Sequence, residues 1–389
     1  MPAFTEYAET ELNKGKLRLA TAIFFFISGF SYSSWASRIP TYQTQLHLNE
    51  AQLGLVLFAM PIGLIITLPL TGRLLSVYSS RAILLVGALV INIILIIIGI
   101  TQTVWELVIT LLCLGSARNL LNISINAQAV GVQKLYDKSI MATFHGIWSL
   151  AGFAGAALGY VMVYYGVLPQ YHFLAVSVSM VLFSLYFFKD TLDDKPAPQP
   201  KRKLFALPEK PLIKFAFICF ASMACENTMY DWTGIYFERA VHVAKSSATA
   251  GFVVYMTAMT AGRFIGDWTI NRFGLQTVLK ISGVFICTGM LMAALLPYLI
   301  PCSVGFVLVG LGVSCIVPMV FQMAGKSTTM SSGSALAAIS SVGYIGFLLI
   351  PPFVGFVAQA FNLRWSFGVV ALFGALIVWL MRENKPAEA

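Results

Sequence analysis

Long apolar blocks separated by short polar interruptions run along almost the whole chain. A helix needs roughly 20 apolar residues to cross a bilayer. Blocks of that length predict spans near residues 18–43, 51–76, 82–101, 105–132, 139–165 and 171–188. Six more follow near 212–237, 247–271, 276–299, 303–325, 333–359 and 363–381. Between the two sets lies KDTLDDKPAPQPKRKLFALPEKP, residues 189–211, too rich in Pro, Lys and Asp to remain in hydrocarbon. The expected fold is an all-α membrane protein of twelve transmembrane helices. Residues 1–188 form a first six-helix bundle, 189–211 a cytoplasmic linker and 212–389 a second bundle.

Composition agrees with this pattern: 58% of the residues are hydrophobic and 11% charged, against about 25% charged in a soluble domain. The net charge of +9 would suggest nucleic acid in a soluble protein, but here the basic residues sit in short loops and report topology. Of the 25 Lys and Arg, Arg38, Arg118 and Arg263 fall within spans, and Arg239, Lys245 and Arg364 fall on one side. The remaining nineteen share the side of both termini and the linker, which predicts cytoplasmic termini. The six cysteines show no ligand spacing and read as small packing residues. Residues 1–16 are polar and no small-residue cleavage site follows the first apolar run, so no cleaved leader is expected. There is no GxxxxGK[ST] loop, metal-ligand cluster or nucleophile motif. The chain therefore reads as neither an enzyme nor a nucleotide-driven pump, and needs no cofactor or metal.

Polar residues at membrane depth must face protein or a water-filled cavity. A single one is usually interhelical glue, worth roughly 0.6 kcal/mol. A stripe on one face is different. In the fourth span Arg118, Asn122 and Asn126 recur every fourth residue, with Asn119 beside them. Amides offer donors and acceptors that suit a hydroxyl-rich solute. Arg118, about 20 Å deep, needs a carboxylate or an anionic substrate. The first span carries Ser28, Ser31, Trp35 and Arg38 at helical spacing, and the fifth carries His145, Trp148 and Ser149. Trp35 and Trp148 could serve as sugar-ring platforms or as packing. His145, about 9 Å from the cytoplasmic end, is a candidate proton relay or a structural histidine. Gln322, in line with Ser314 and Pro318, and Tyr344 are further candidate substrate contacts; Tyr255 is a weaker one.

The seventh span holds CENTMYDW, residues 225–232, with two carboxylates. Glu226 lies about 21 Å in and Asp231 about 29 Å in, some 140° apart around the helix. Two roles are therefore expected. For Glu226, a carboxyl at low dielectric can load and release a proton near neutral pH; the rival is a static ion pair with Arg118. For Asp231, at the same depth as Arg38, the readings are an outer gate with that residue or an exposed interfacial charge with Trp232 as belt anchor. Asn227 and Tyr230 lie between as candidate substrate contacts.

Two six-helix halves with a basic linker resemble the major facilitator superfamily. The marker loop of that superfamily is matched at 262–274, GRFIGDWTINRFG, by Gly262, Arg263, Gly266, Asp267, Arg272 and Gly274. The first-half copy, GRLLSVYSSR at 72–81, keeps Gly72 and Arg81 but has Ser76 where the acidic residue belongs. SINAQAVGVQ (124–133), MATFHGIWSLAGFAGAALG (141–159) and GYIGFLLIPPFVGF (343–356) further resemble the MosC-like bacterial branch, related in pattern to fucose-permease-like sugar permeases. The resemblance implies two pseudo-symmetric bundles with alternating access around a midplane site. It also implies a bacterial inner-membrane protein, monomeric in the lipid bilayer, carrying a small sugar- or cyclitol-like solute. The proton gradient is the expected driving force. An exporter of hydrophobic compounds and an organic-anion carrier using Arg118 and Arg38 remain alternatives.

Overall fold

The computed structural model describes residues 2–137, 140–193, 208–325 and 332–382. Most of the predicted linker (194–207) and Lys138, Lys326 and Lys385 of the charge count lie outside the described residues, as do the side chains of residues 2–12 and Asp267. All long elements among the described residues are helices: α1 (Pro2–Ala36), α2 (Ile39–Gln45), α3 (Glu50–Val77), α4 (Ser80–Gly99), α5 (Val104–Gln133), α6 (Met141–Tyr164) and α7 (Pro169–Phe188). Then come α8 (Lys210–Arg239), α9 (Ala250–Phe273), α10 (Leu275–Leu295), α11 (Leu299–Val313), α12 (Ile316–Gly325), α13 (Ser332–Ala360) and α14 (Leu363–Leu380).

These fourteen described helices make twelve crossing segments because two spans are broken. The first breaks at Ser37 and Arg38, and Pro40 opens α2 without an amide to continue the ladder. The tenth breaks at Ser314 and Cys315, four residues before Pro318, whose ring would clash with the carbonyl there. Eleven segments among the described residues are long and apolar enough to cross a membrane. The twelfth, α9, has the length but carries Arg263, Asp267 and Arg272, which dilute its hydropathy.

Contacts divide the chain into two compact units, Met1–Leu46 with Ala59–Lys201 and His47–Phe58 with Arg202–Ala389. The first two turns of α3 thus cluster with the second unit. Each unit repeats the same internal plan. In the first, α1 packs on α6 and α4 packs on both α5 and α7; in the second, α8 packs on α13 and α10 packs on α11 and α14. The repeat reaches single residues. His47, between α2 and α3, and His242, just after α8, both adopt left-handed backbone, at φ 53° and 62°.

Helices in lipid gain little from apolar burial against each other, so close approach matters most. Gly63 of α3 lies against the Leu112 carbonyl of α5, and Gly115 of α5 lies against the Met60 carbonyl of α3. A methyl group at either position would collide with backbone. Gly63→Ala or Gly115→Ala should therefore lower stability by about 1–3 kcal/mol, as overpacking does elsewhere. Gly72→Ala, with nothing near its would-be Cβ, should be neutral or slightly stabilising. Thermal unfolding of the three variants in detergent measures this; equal midpoints for Gly63→Ala and Gly72→Ala would refute the close approach.

Candidate functional site

In the first unit the amide stripe of α5 faces α1. The Arg118 guanidinium lies 3.8 Å from the centre of the Tyr32 ring. One turn along, Ser28 donates to the Asn122 side-chain carbonyl at 3.0 Å. Asn126 donates to the Asn122 backbone carbonyl at 2.7 Å. All three stripe residues are half-buried. Asn119 is not part of this face, because one residue of offset turns it about 100° around the helix. It is buried and donates to Thr71 at 2.9 Å and Thr67 at 3.3 Å on α3. Its side-chain amide thereby ties α5 to α3.

Trp35 takes the packing reading in this structure. It is buried against Tyr42, ring centres 5.5 Å apart, and Tyr42 in turn donates to the Ile98 carbonyl at 2.6 Å. That ring packs helices and offers no open platform. On α6, Trp148 is half-buried and His145 is exposed, its ring edge-on to Phe25 at 5.4 Å.

Arg38 has partners that the spacing did not reveal. It is buried, donates from Nε to His172 Nδ1 at 3.1 Å, and from Nη2 to the Val167 carbonyl at 2.8 Å. Because Nδ1 accepts, the imidazole is neutral with its proton on Nε2. In the second unit Asp231 accepts from Asn227 at 3.1 Å, one turn away on α8, and Asn227 also reaches the Phe347 carbonyl of α13 at 3.5 Å. Both residues expected to form the outer gate are thus engaged inside their own unit. Asn227, also expected at the substrate, is buried in that tie.

The carboxylate of Glu226 lies 3.6 Å from the guanidinium of Arg263 on α9, with the two side chains 20% and 16% exposed. Both side chains are thus partly exposed rather than fully enclosed. Arg263 therefore does not belong to a loop. The helix continues ten residues beyond it, and Glu226 finds its cation here. Tyr230, one turn beyond Glu226, stands edge-on to Tyr255 at 6.0 Å and to Phe252 at 5.3 Å, both on α9. Tyr255 is fully buried, two turns before Arg263 on the same face, and its hydroxyl has no hydrogen-bond partner among the described residues. Carboxylate, guanidinium and two phenols thus line one α8–α9 seam. The signal in the sequence was an in-span Arg one helix after an in-span Glu.

The other motif residues divide by role. Gly262 lies against Ser314 and Gly266 against Cys315, so both let α9 approach the α11–α12 break; Cys315 Sγ donates to the Gly262 carbonyl at 3.4 Å. Arg272 is exposed in the last turn of α9. Gly274 ends that helix at φ 77°, which favours glycine. In the first unit, Arg81 donates to the Phe188 and Lys189 carbonyls at 3.2 Å each and lies 3.8 Å from Asp193. The start of the linker supplies the carboxylate that Ser76 lacks. Gln128 holds that segment by donating to the Leu192 carbonyl at 2.9 Å and accepting from its amide at 2.8 Å. Gln322 and Tyr344 are exposed on α12 and α13.

A family model described as the Major Facilitator Superfamily matches residues 21–332 and 239–389. The chain belongs to this superfamily. An MFS-type transporter of Yersinia pestis is 32% identical over 355 residues, covering 91% of this chain and 92% of the relative. Membrane protein MosC of Rhizobium meliloti is 28% identical over 94% of this chain and 90% of its own. Among solved structures, the nucleoside transporter NupG superposes with a TM-score of 0.71 at 17% identity, covering 94% of this chain and 98% of that one. This chain is accordingly a multi-pass membrane transporter with the twelve-helix major facilitator fold, not an enzyme.

The Glu226–Arg263 pair makes its own prediction. Glu226→Gln and Arg263→Gln each remove one member of the ion pair and keep the other's charge, while the double variant removes both charges. The double variant should be no less stable than the weaker single one, a coupling on the order of 1–2 kcal/mol. Thermal unfolding of the four proteins in detergent reads this directly, and strict additivity would refute the pairing.

Proposed function

We propose that this superfamily member is a proton-coupled secondary transporter of a small polar solute, sugar- or cyclitol-like, working by alternating access. The observation that carries the reading is the partly accessible Glu226–Arg263 pair. A carboxylate held by a guanidinium can exchange that partner for a proton, and each state favours a different arrangement of the neighbouring helices. Tyr255 and Tyr230 supply hydroxyls along the seam for a proton or a solute hydroxyl. On the α1–α5 face, Asn122 and Asn126 supply amides and Arg118 a cation. His145, Trp148, Gln322 and Tyr344 are exposed or half-buried and are retained as candidate contacts.

The two halves, 1–188 and 212–389, are proposed as the moving bundles, joined by the 189–211 linker. The chain is placed in the bacterial inner membrane as a monomer. Both termini are on the cytoplasmic side, where nineteen of the 25 basic residues gather.

The test is uptake by purified protein in proteoliposomes against sugars, cyclitols and organic anions, with and without an inward proton gradient. Wild type should accumulate a sugar or cyclitol only with the gradient. Glu226→Gln should lose that accumulation and keep counterflow of the same solute. Gradient-driven uptake by Glu226→Gln at the wild-type rate removes Glu226 from the coupling role. A second reading, an organic-anion carrier, rests on Arg118 over Tyr32. It requires that only organic anions be taken up and that Arg118→Gln abolish their uptake.

A further inference from the structure

The second unit contains a cavity of about 500 Å³ away from the α8–α9 seam residues, at the C-terminal end of α8. Its lining includes Glu50, Arg239, His242, Tyr298, Phe361 and Arg364. Four separate chain segments place these residues. Glu50 opens α3 and is paired with Arg239, the last residue of α8. His242 follows three residues later in left-handed backbone. Arg364, in the first turn of α14, donates from Nε to the Ala294 carbonyl at 2.8 Å and from Nη2 to the Leu295 carbonyl at 3.5 Å. It thereby ties α14 to the end of α10 and also lines the cavity. Two guanidiniums against one carboxylate leave a positive excess before His242 is counted.

The basic residues themselves point to a ligand. Only Arg239, Lys245 and Arg364 fall on the side opposite the termini, and two of these three meet in one cavity. Loop charges left over from topology would be scattered. Two of its aromatic lining side chains are themselves largely exposed: Tyr298 at 69% and Phe361 at 70%. Tyr and Trp side chains at the ends of crossing helices sit at the level of the lipid headgroups. A free anion makes no use of such an apron, whereas a phosphate carrying hydrocarbon chains does.

We infer that this cavity is a binding site for the phosphate headgroup of an anionic glycerophospholipid. Arg239, Arg364 and His242 hold the phosphodiester, and the acyl chains lie over Tyr298 and Phe361. Guanidinium forks suit phosphate oxygens through paired hydrogen bonds. Such a lipid would tie together the ends of α3, α8, α10 and α14 in one leaflet.

Native mass spectrometry of the full chain in detergent, titrated with dioleoylphosphatidylglycerol or dioleoylphosphatidylcholine, tests the site. One phosphatidylglycerol should be retained in preference to phosphatidylcholine. Arg239→Gln with His242→Gln should lower its retention about tenfold, in line with loss of a charge-assisted hydrogen bond. These two side chains are exposed; since Arg239→Gln also removes the pair with Glu50, His242→Gln alone is measured beside it and should lower retention in the same direction. Millimolar glycerol 1-phosphate should not displace the lipid. Equal retention by the double variant, or no preference over phosphatidylcholine, overturns the site. Displacement by glycerol 1-phosphate overturns the lipid assignment and leaves a site for free phosphate esters.

Discussion

Hydrocarbon has no water to answer a polar group, so each one inside a crossing helix must be answered by a neighbouring helix. That constraint organises both units. Glu226 is met by Arg263, Arg38 by His172 and the Val167 carbonyl, Asn119 by two threonines, and Ser31 by Asn92. Each pairing names two helices that must be close. Glycine makes the closeness possible where backbones meet, as between Gly63 and Gly115, and where α9 meets the α11–α12 break through Gly262 and Gly266. Polar partner and small residue therefore work together.

The same constraint separates structural from functional polar residues. Asn119, Asn227 and Arg38 are buried and their hydrogen bonds end on protein. They position helices. Arg118, Asn122, Asn126, Glu226 and Arg263 are only half-buried. Their partial exposure is what makes them the residues proposed for the transport site. Tyr255 lies between these classes, fully buried yet with an unanswered hydroxyl beside the ion-pair seam. Its role is best understood together with Glu226.

Much of the fold was legible because hydropathy and length act locally. Twelve segments, the polar stretch between halves and the basic asymmetry all follow from composition along the chain. The helix breaks at Arg38 and Ser314 were less visible, although Pro40 and Pro318 mark them. The site was legible in part. Arg118, Asn122 and Asn126 share a face because every fourth residue does so. Asn119, one residue away, cannot be assigned to that face or to α3 without knowing where α3 lies. Likewise, Trp35 has the same side chain whether it faces a cavity or Tyr42.

The sequence by itself determined that the chain crosses a membrane, how many times, and which charges must be held inside it. Those properties depend on the free energy of moving each segment from water to hydrocarbon, which neighbours in sequence set. Only the tertiary structure decided the partners: Arg263 for Glu226, His172 for Arg38, and the start of the linker for Arg81. A partner is chosen by depth, helix rotation and a close approach between segments far apart in the chain. None of these three quantities is a property of any one segment.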